Sequence, residues 1–356
     1  MSEALRQALL EPGTVRQRPP AALTDLVAQA RTGGLLATLA ERLTETGDLR
    51  SLAPDVRRHL ESAQLEQRKQ RRDVAYEITQ LAPVFAELGE RLVCLKGAAY
   101  LLGGLDCGRG RLVSDIDLLT PAPRIEGVER ALNDAGWEGV AQDPYDERYY
   151  RQWMHEIPPL RHHARGAVLD LHHTILPPTA APRVDARLLF EDLRELAPGV
   201  FGLSATDMVI HSAAHLFYES EFNHALRDLW DQRCLLLEGA RDDAVFWQRL
   251  AERARALDLA SAVWLSLRYV HRLFAVPVPS SIVRQLRPRG SSLRAGFWDP
   301  LFGRIFSVDH PESRPSYYRT AHHGAFVRGH ALRMPPRLLI PHLARKGLRR
   351  LRPAPP

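Results

Sequence analysis

The chain has 356 residues, 45% of them hydrophobic, which is enough to bury a substantial core and suits two or three structural units. Residues 1–18 lack the basic-then-apolar pattern of a secretory signal, and no window approaches the roughly 18 uncharged apolar residues of a membrane span, so the sequence predicts a cytoplasmic protein. The net charge of +6 does not indicate a nucleic-acid surface: residues 333–356 carry seven basic side chains and no acid, leaving 41 basic against 42 acidic residues elsewhere.

Residues 1–81 predict a helical lead-in, because apolar residues recur at three- and four-residue intervals over 23–30, 35–43 and 56–81, interrupted by Gly33, Gly34 and Gly47. The helix carrying Val74, Ile78, Leu81 and Phe85 is expected to end near Gly89, and residues 91–95 are an apolar run of strand length. Over 82–200 strands and helices alternate, the pattern of an α/β or α+β core. A strand over 112–120 is stopped by Pro121, a helix over 124–135 is capped by Gly136, and a strand over 167–172 is stopped by Pro177. Residues 201–332 predict a second helical region, opened by a capping box between Ser204 and Asp207 and continued over 225–237, 244–257 and 262–274. Pro277, Pro279, Pro288 and Gly290 mark a loop, and residues 300–318 carry too much Pro, Gly and polar character to assign. The tail, 333–356, sets Leu338, Leu339, Ile340, Leu343, Leu348 and Leu351 among its basic residues. It suits a peripheral contact with an anionic membrane or an acidic partner, with a solvated tail as the alternative, and Pro335, Pro336 and Pro341 are expected to break its start.

The chemistry concentrates in two stretches. In Arg111-Leu-Val-Ser114-Asp115-Ile-Asp117 the two aspartates are two apart on a predicted strand, so they project to one face while Ile116 and Leu118 point into the core. Like charges held this close repel unless a cation sits between them, and oxygen-only ligands suit Mg²⁺ (or Mn²⁺) bridging to phosphate. Asp170, with His172 two residues on, offers a third carboxylate on a second predicted strand. Asp115, Asp117 and Asp170 are therefore the candidate metal and catalytic residues. Upstream, Lys96-Gly97 joins a predicted strand to a helix start. Gly97 would admit a phosphate close to the backbone, and Lys96 and Arg111 would supply positive charge to it. Lys96 stands out further because only Lys69, Lys96 and Lys346 are lysine among 48 basic residues. The loop with Gly103, Gly104, Gly108 and Gly110 is expected to be a flexible flap.

Residues 90–175 resemble the polymerase-β-type nucleotidyltransferase superfamily, and in particular its bacterial branch labelled uncharacterised nucleotidyltransferase. The matching positions are Lys96, Gly97, Arg111, Ser114, Asp115, Asp117, Asp170 and His172. The resemblance implies a nucleotidyltransferase core with a mixed β-sheet and flanking helices. It also implies use of an NTP with Mg²⁺, and transfer of a nucleoside monophosphate to a small-molecule, glycan or peptide acceptor with loss of pyrophosphate. Lys96, Gly97, Arg111, Ser114 and His172 would then face the nucleotide. The chain departs from the wider superfamily in lacking a Gly-Ser pair and in the length of chain between Gly97 and Asp115.

Other polar groups have plainer alternatives. Asp207, His211 and His215 share one helical face, but Ser212 stands where a zinc protease needs glutamate, so packing or acceptor contact is expected. Asp228 and Asp231 lie on the next helix, and His155, His162 and His163 precede the Asp170 strand as unranked substrate contacts. Cys94, Cys107 and Cys234 are too few and too far apart for a disulfide framework or a cysteine zinc site. The rival to an enzyme is a non-catalytic protein that keeps the fold and uses its tail for recruitment.

Overall fold

The computed structural model describes residues 3–140, 143–218, 220–288, 291–311 and 313–350. Gly290, Leu351 and Arg352 of the expectations above lie outside them. Helices Pro20–Thr32, Leu36–Glu45 and Pro54–Glu87 form the lead-in. The last is 34 residues long and buries Val56, Leu60, Ala63, Gln67, Val74, Ile78, Leu81 and Phe85, a stripe at helical spacing. It stops where expected: Gly89 takes φ +66, its N–H donates to Ala86 O at 3.0 Å, and Glu90 N–H donates to Phe85 O at 2.9 Å.

Seven strands form one mixed sheet: β1 (Leu92–Cys94), β2 (Ile116–Leu119), β3 (Trp137–Gly139), β4 (Leu160–His162), β5 (Val168–His172), β6 (Leu193–Ala197) and β7 (Val200–Leu203). Their order is β3-β4-β5-β2-β1-β7-β6. β1 is antiparallel to β2 and parallel to β7, and β2 is parallel to β5. The three residues of β1 are buried, as its place inside the sheet requires. The sheet thus runs past the expected boundary at 200 to Leu203, and the helix Pro54–Glu87 runs across the one at 81. One continuous hydrophobic core extends from Leu5 to Ala325, so the expected units 1–81, 82–200 and 201–332 are layers of a single core.

Helices Ala205–Tyr218, Ala225–Asp242, Phe246–Ala256 and Ala260–Phe274 follow at the expected places. Only half of the capping box forms: Ser204 Oγ accepts from Asp207 N–H at 3.3 Å, while the Asp207 carboxylate is bound by Arg253 in two contacts of 2.9 Å. The unassigned stretch contains the end of helix Ser291–Ile305, with Pro300 inside it, and leads to helix Tyr318–Arg333. The prolines of the tail do not break it. Pro336 opens helix Pro336–Arg350 at a position that needs no backbone donor, and Pro341 lies within. His342 is buried, stacked on Tyr149 with centroids 4.5 Å apart, while Ile340 and Leu343 are exposed. Among the described residues no helix is long and apolar enough to cross a membrane.

Candidate active site

β2 and β5 place the carboxylates. In their parallel register Asp117 lies opposite Asp170, while Leu118 and Leu171 point to the other face and are fully buried. Asp115 continues the alternation just before β2, and His172 lies two residues beyond Asp170 on the same side. Leu95 N–H donates to Asp117 O at 2.9 Å, tying the end of β1 to the aspartate strand and bringing Lys96 beside it. Lys96 itself has φ +43, a left-handed conformation that costs a side-chain-bearing residue energy and recurs at functional sites.

Asp117 Oδ1 is the hub of the polar contacts. It accepts from Lys96 Nζ at 3.1 Å and lies 3.0 Å from His172 Nε2. Burial opposes the charge on Asp117, but Lys96 and His172 outweigh it and hold the carboxyl far below the usual carboxylate range. Lys96 is likewise kept charged against its burial by Asp117 and Glu156. Asp170 is the opposite case. Burial, then the charges of Glu156 and Asp117, push it up to about 7, and its buried Oδ1 has no hydrogen-bond partner. Burial and the charge of Asp117 also raise Asp115, which accepts from Ser114 Oγ at 3.2 Å.

Behind Lys96, helix Ala205–Tyr218 presents His211 and His215. Burial and the Lys96 charge push both imidazoles down, His215 to about 3, so both are neutral near pH 7. On the other side a groove of ≈ 520 Å³ opens at Ser114 and Asp115, walled by Gln70, Asp73 and Tyr76 of the long helix and by Arg165. Arg165 is fixed there by Glu77, Nε to Oε1 at 2.8 Å.

A family model described as uncharacterised nucleotidyltransferase matches residues 19–275. The chain belongs to that family. No curated protein and no solved structure matches it. The match takes in the lead-in helices, the whole sheet and four of the following helices, in keeping with the single core.

In this nucleotidyltransferase Asp115, Asp117, Asp170, Lys96 and His172 converge, with Ser114 at the rim. Arg111 is elsewhere engaged. It is buried against helix Ala225–Asp242, with Nε 2.8 Å from Asp231 Oδ2 and Nη2 3.7 Å from Asp228 Oδ1, so its charge ties that helix to the approach to β2. Gly97 answers first to packing: a Cβ there would lie 2.7 Å from Val113 Cγ2. The glycine-rich loop is pinned rather than a free flap. Gly110 has φ +73 and is pressed so closely on Thr38 that a Cβ would lie 2.4 Å from its backbone, and Cys107 and Gly108 are buried.

Sequence reasoning missed Glu156. Residues 155–157 pair antiparallel with the end of β5 through Ile157 N–H to Leu171 O at 3.1 Å and His173 N–H to His155 O at 2.9 Å. This sets Glu156 opposite His172, with Oε2 3.4 Å from its Nε2. The only local sign was an adjacent His-Glu pair; the segment is short and followed by Pro158 and Pro159, so no alternation marks it.

Proposed function

We propose that the chain moves a nucleoside monophosphate from an NTP to an acceptor hydroxyl or phosphate, releasing pyrophosphate, with a divalent metal held by Asp115, Asp117 and Asp170. The observation that carries this is the facing pair Asp117 and Asp170, one carboxylate over-bonded and the other with a buried, unpartnered oxygen. A donor set of carboxylate oxygens that repel one another fits Mg²⁺ or Mn²⁺. When bound, such an ion supplies charge neutralisation at phosphate and a lower pKa for the attacking hydroxyl.

The chain's own groups do the rest. Lys96 lies beside Asp117 and can turn its ammonium to a phosphate oxygen without leaving the site. As the acceptor oxygen bonds to the α-phosphorus, the bond to pyrophosphate breaks and the acceptor proton passes to Asp170, whose pKa of about 7 suits a base near neutrality. Neutral His211 and His215 avoid adding charge behind Lys96. The groove at Asp115 is wide enough for a small-molecule, glycan or peptide acceptor, and Tyr76 offers it an exposed ring.

Calorimetric titration of ATP, GTP, CTP and UTP with Mg²⁺ into the full chain tests the assignment. Binding that needs Mg²⁺ and disappears in Asp115→Asn/Asp117→Asn is expected. The absence of binding by every NTP would overturn it. A second reading, nucleotide binding without turnover, draws on the Lys96 ammonium resting against Asp117. Transfer of label from an α-labelled NTP to cell-extract acceptors, lost in Asp117→Asn, separates the two.

A further inference from the structure

His155, Glu156 and His172 each place a donor atom within 4.8 Å of the others. Glu156 Oε2 is 3.4 Å from His172 Nε2 and 3.7 Å from His155 Nε2, and His172 Nε2 is 3.0 Å from Asp117 Oδ1. Ligands on a tetrahedral ion with bonds of about 2.0–2.1 Å stand roughly 3.3–3.4 Å apart, so these separations already approach the edges of a coordination shell. Hydrogen bonding alone explains the cluster poorly. Nδ1 of both rings is buried with no partner, and His172 is 0% exposed. Leaving such atoms unsatisfied costs about 1–3 kcal/mol each. Charge points the same way: Asp115, Asp117, Glu156 and Asp170 interact here with the Lys96 ammonium and, near His155, with Arg333.

We propose that His155, Glu156 and His172 hold a transition-metal ion, Zn²⁺ or Mn²⁺, next to the all-oxygen site and linked to it through Asp117. Imidazole donors select against Mg²⁺ and for the later divalent ions, so the two positions differ in the metal they take. Three protein donors leave a coordination position open, the arrangement of sites that receive a water or a substrate oxygen. The ion would also clamp residues 155–157 to β5, whose pairing is otherwise a single bridge and two backbone hydrogen bonds. None of this depends on nucleotidyl transfer.

The test uses Co²⁺ as a spectroscopic probe on the metal-free full chain, with Zn²⁺ as competitor and thermal melting as the check on folding. One saturable equivalent with a visible band characteristic of nitrogen ligation, displaced by Zn²⁺, is expected. Glu156→Gln, which keeps size and shape, and His155→Gln should each weaken Co²⁺ binding roughly tenfold or more. Asp115→Asn should leave the band in place, which separates this site from the carboxylate site and from the nucleotidyltransferase reading. Co²⁺ binding that survives both the Glu156 and His155 substitutions, or that disappears in Asp115→Asn, overturns the proposal. So does the absence of any nitrogen-ligated band in the folded chain.

Discussion

Asp170 is the residue whose removal should strengthen the metal-free fold. Replacing it by Asn keeps the shape and removes a carboxylate that burial and two neighbouring acids hold at about 7 instead of the ordinary 3.8. At 1.36 kcal/mol for each tenfold change in proton affinity, that gap amounts to about 4 kcal/mol as an upper limit once the group is ionised. Relaxation and water penetration reduce it, so a gain of about 1–3 kcal/mol at pH 8 is expected. Its sign follows from linkage. The folded state holds this proton more tightly than the unfolded chain, so wild-type stability falls as pH rises from about 4 to about 7. Asp170→Asn lacks that fall, so its advantage should be near zero at pH 4 and full above pH 7. Urea unfolding midpoints for both proteins, in EDTA from pH 4 to 8, measure the difference directly. Excess Mg²⁺ at pH 8 should then stabilise the wild type and not the variant. A variant less stable than wild type in EDTA at pH 8 would refute the reasoning, since the carboxylate would then be well bonded without a metal.

Three further outcomes follow from the geometry. Lys96→Gly should be more stable than Lys96→Ala by about 1 kcal/mol in thermal melting, because only glycine adopts φ +43 without strain. Gly97→Ala should cost about 1–3 kcal/mol through its clash with Val113, and Val113→Ala in the same chain should recover part of it; a neutral Gly97→Ala in urea unfolding would show that Val113 moves aside. Arg111→Met strands Asp231 in the core and should destabilise by about 3–5 kcal/mol at pH 8, with most of the loss restored in Arg111→Met/Asp231→Leu. If the double variant unfolds as early as the single one, the guanidinium matters for something other than this pair.

Periodicity alone fixed much of this protein. The lead-in helices, the helix ending at Gly89, the strands at Asp117 and Asp170 and the helices after Ser204 are local patterns of apolar spacing and capping, which a sequence records residue by residue. The same alternation put Asp115, Asp117, Asp170 and His172 on matching faces of their strands. What it did not record is which strands lie side by side. The β2–β5 pairing that sets Asp117 against Asp170, and the turn of chain that carries Glu156 to His172, join residues 53 and 16 positions apart through backbone hydrogen bonds that leave no spacing rule. Arg111 shows the same limit from the other side. A basic residue ahead of two aspartates suits a phosphate, yet helix Ala225–Asp242 brings Asp231 within 2.8 Å and claims it. Side-chain type and strand face are local properties and were legible; charge partners are decided by packing between distant segments, and only the tertiary structure decided them.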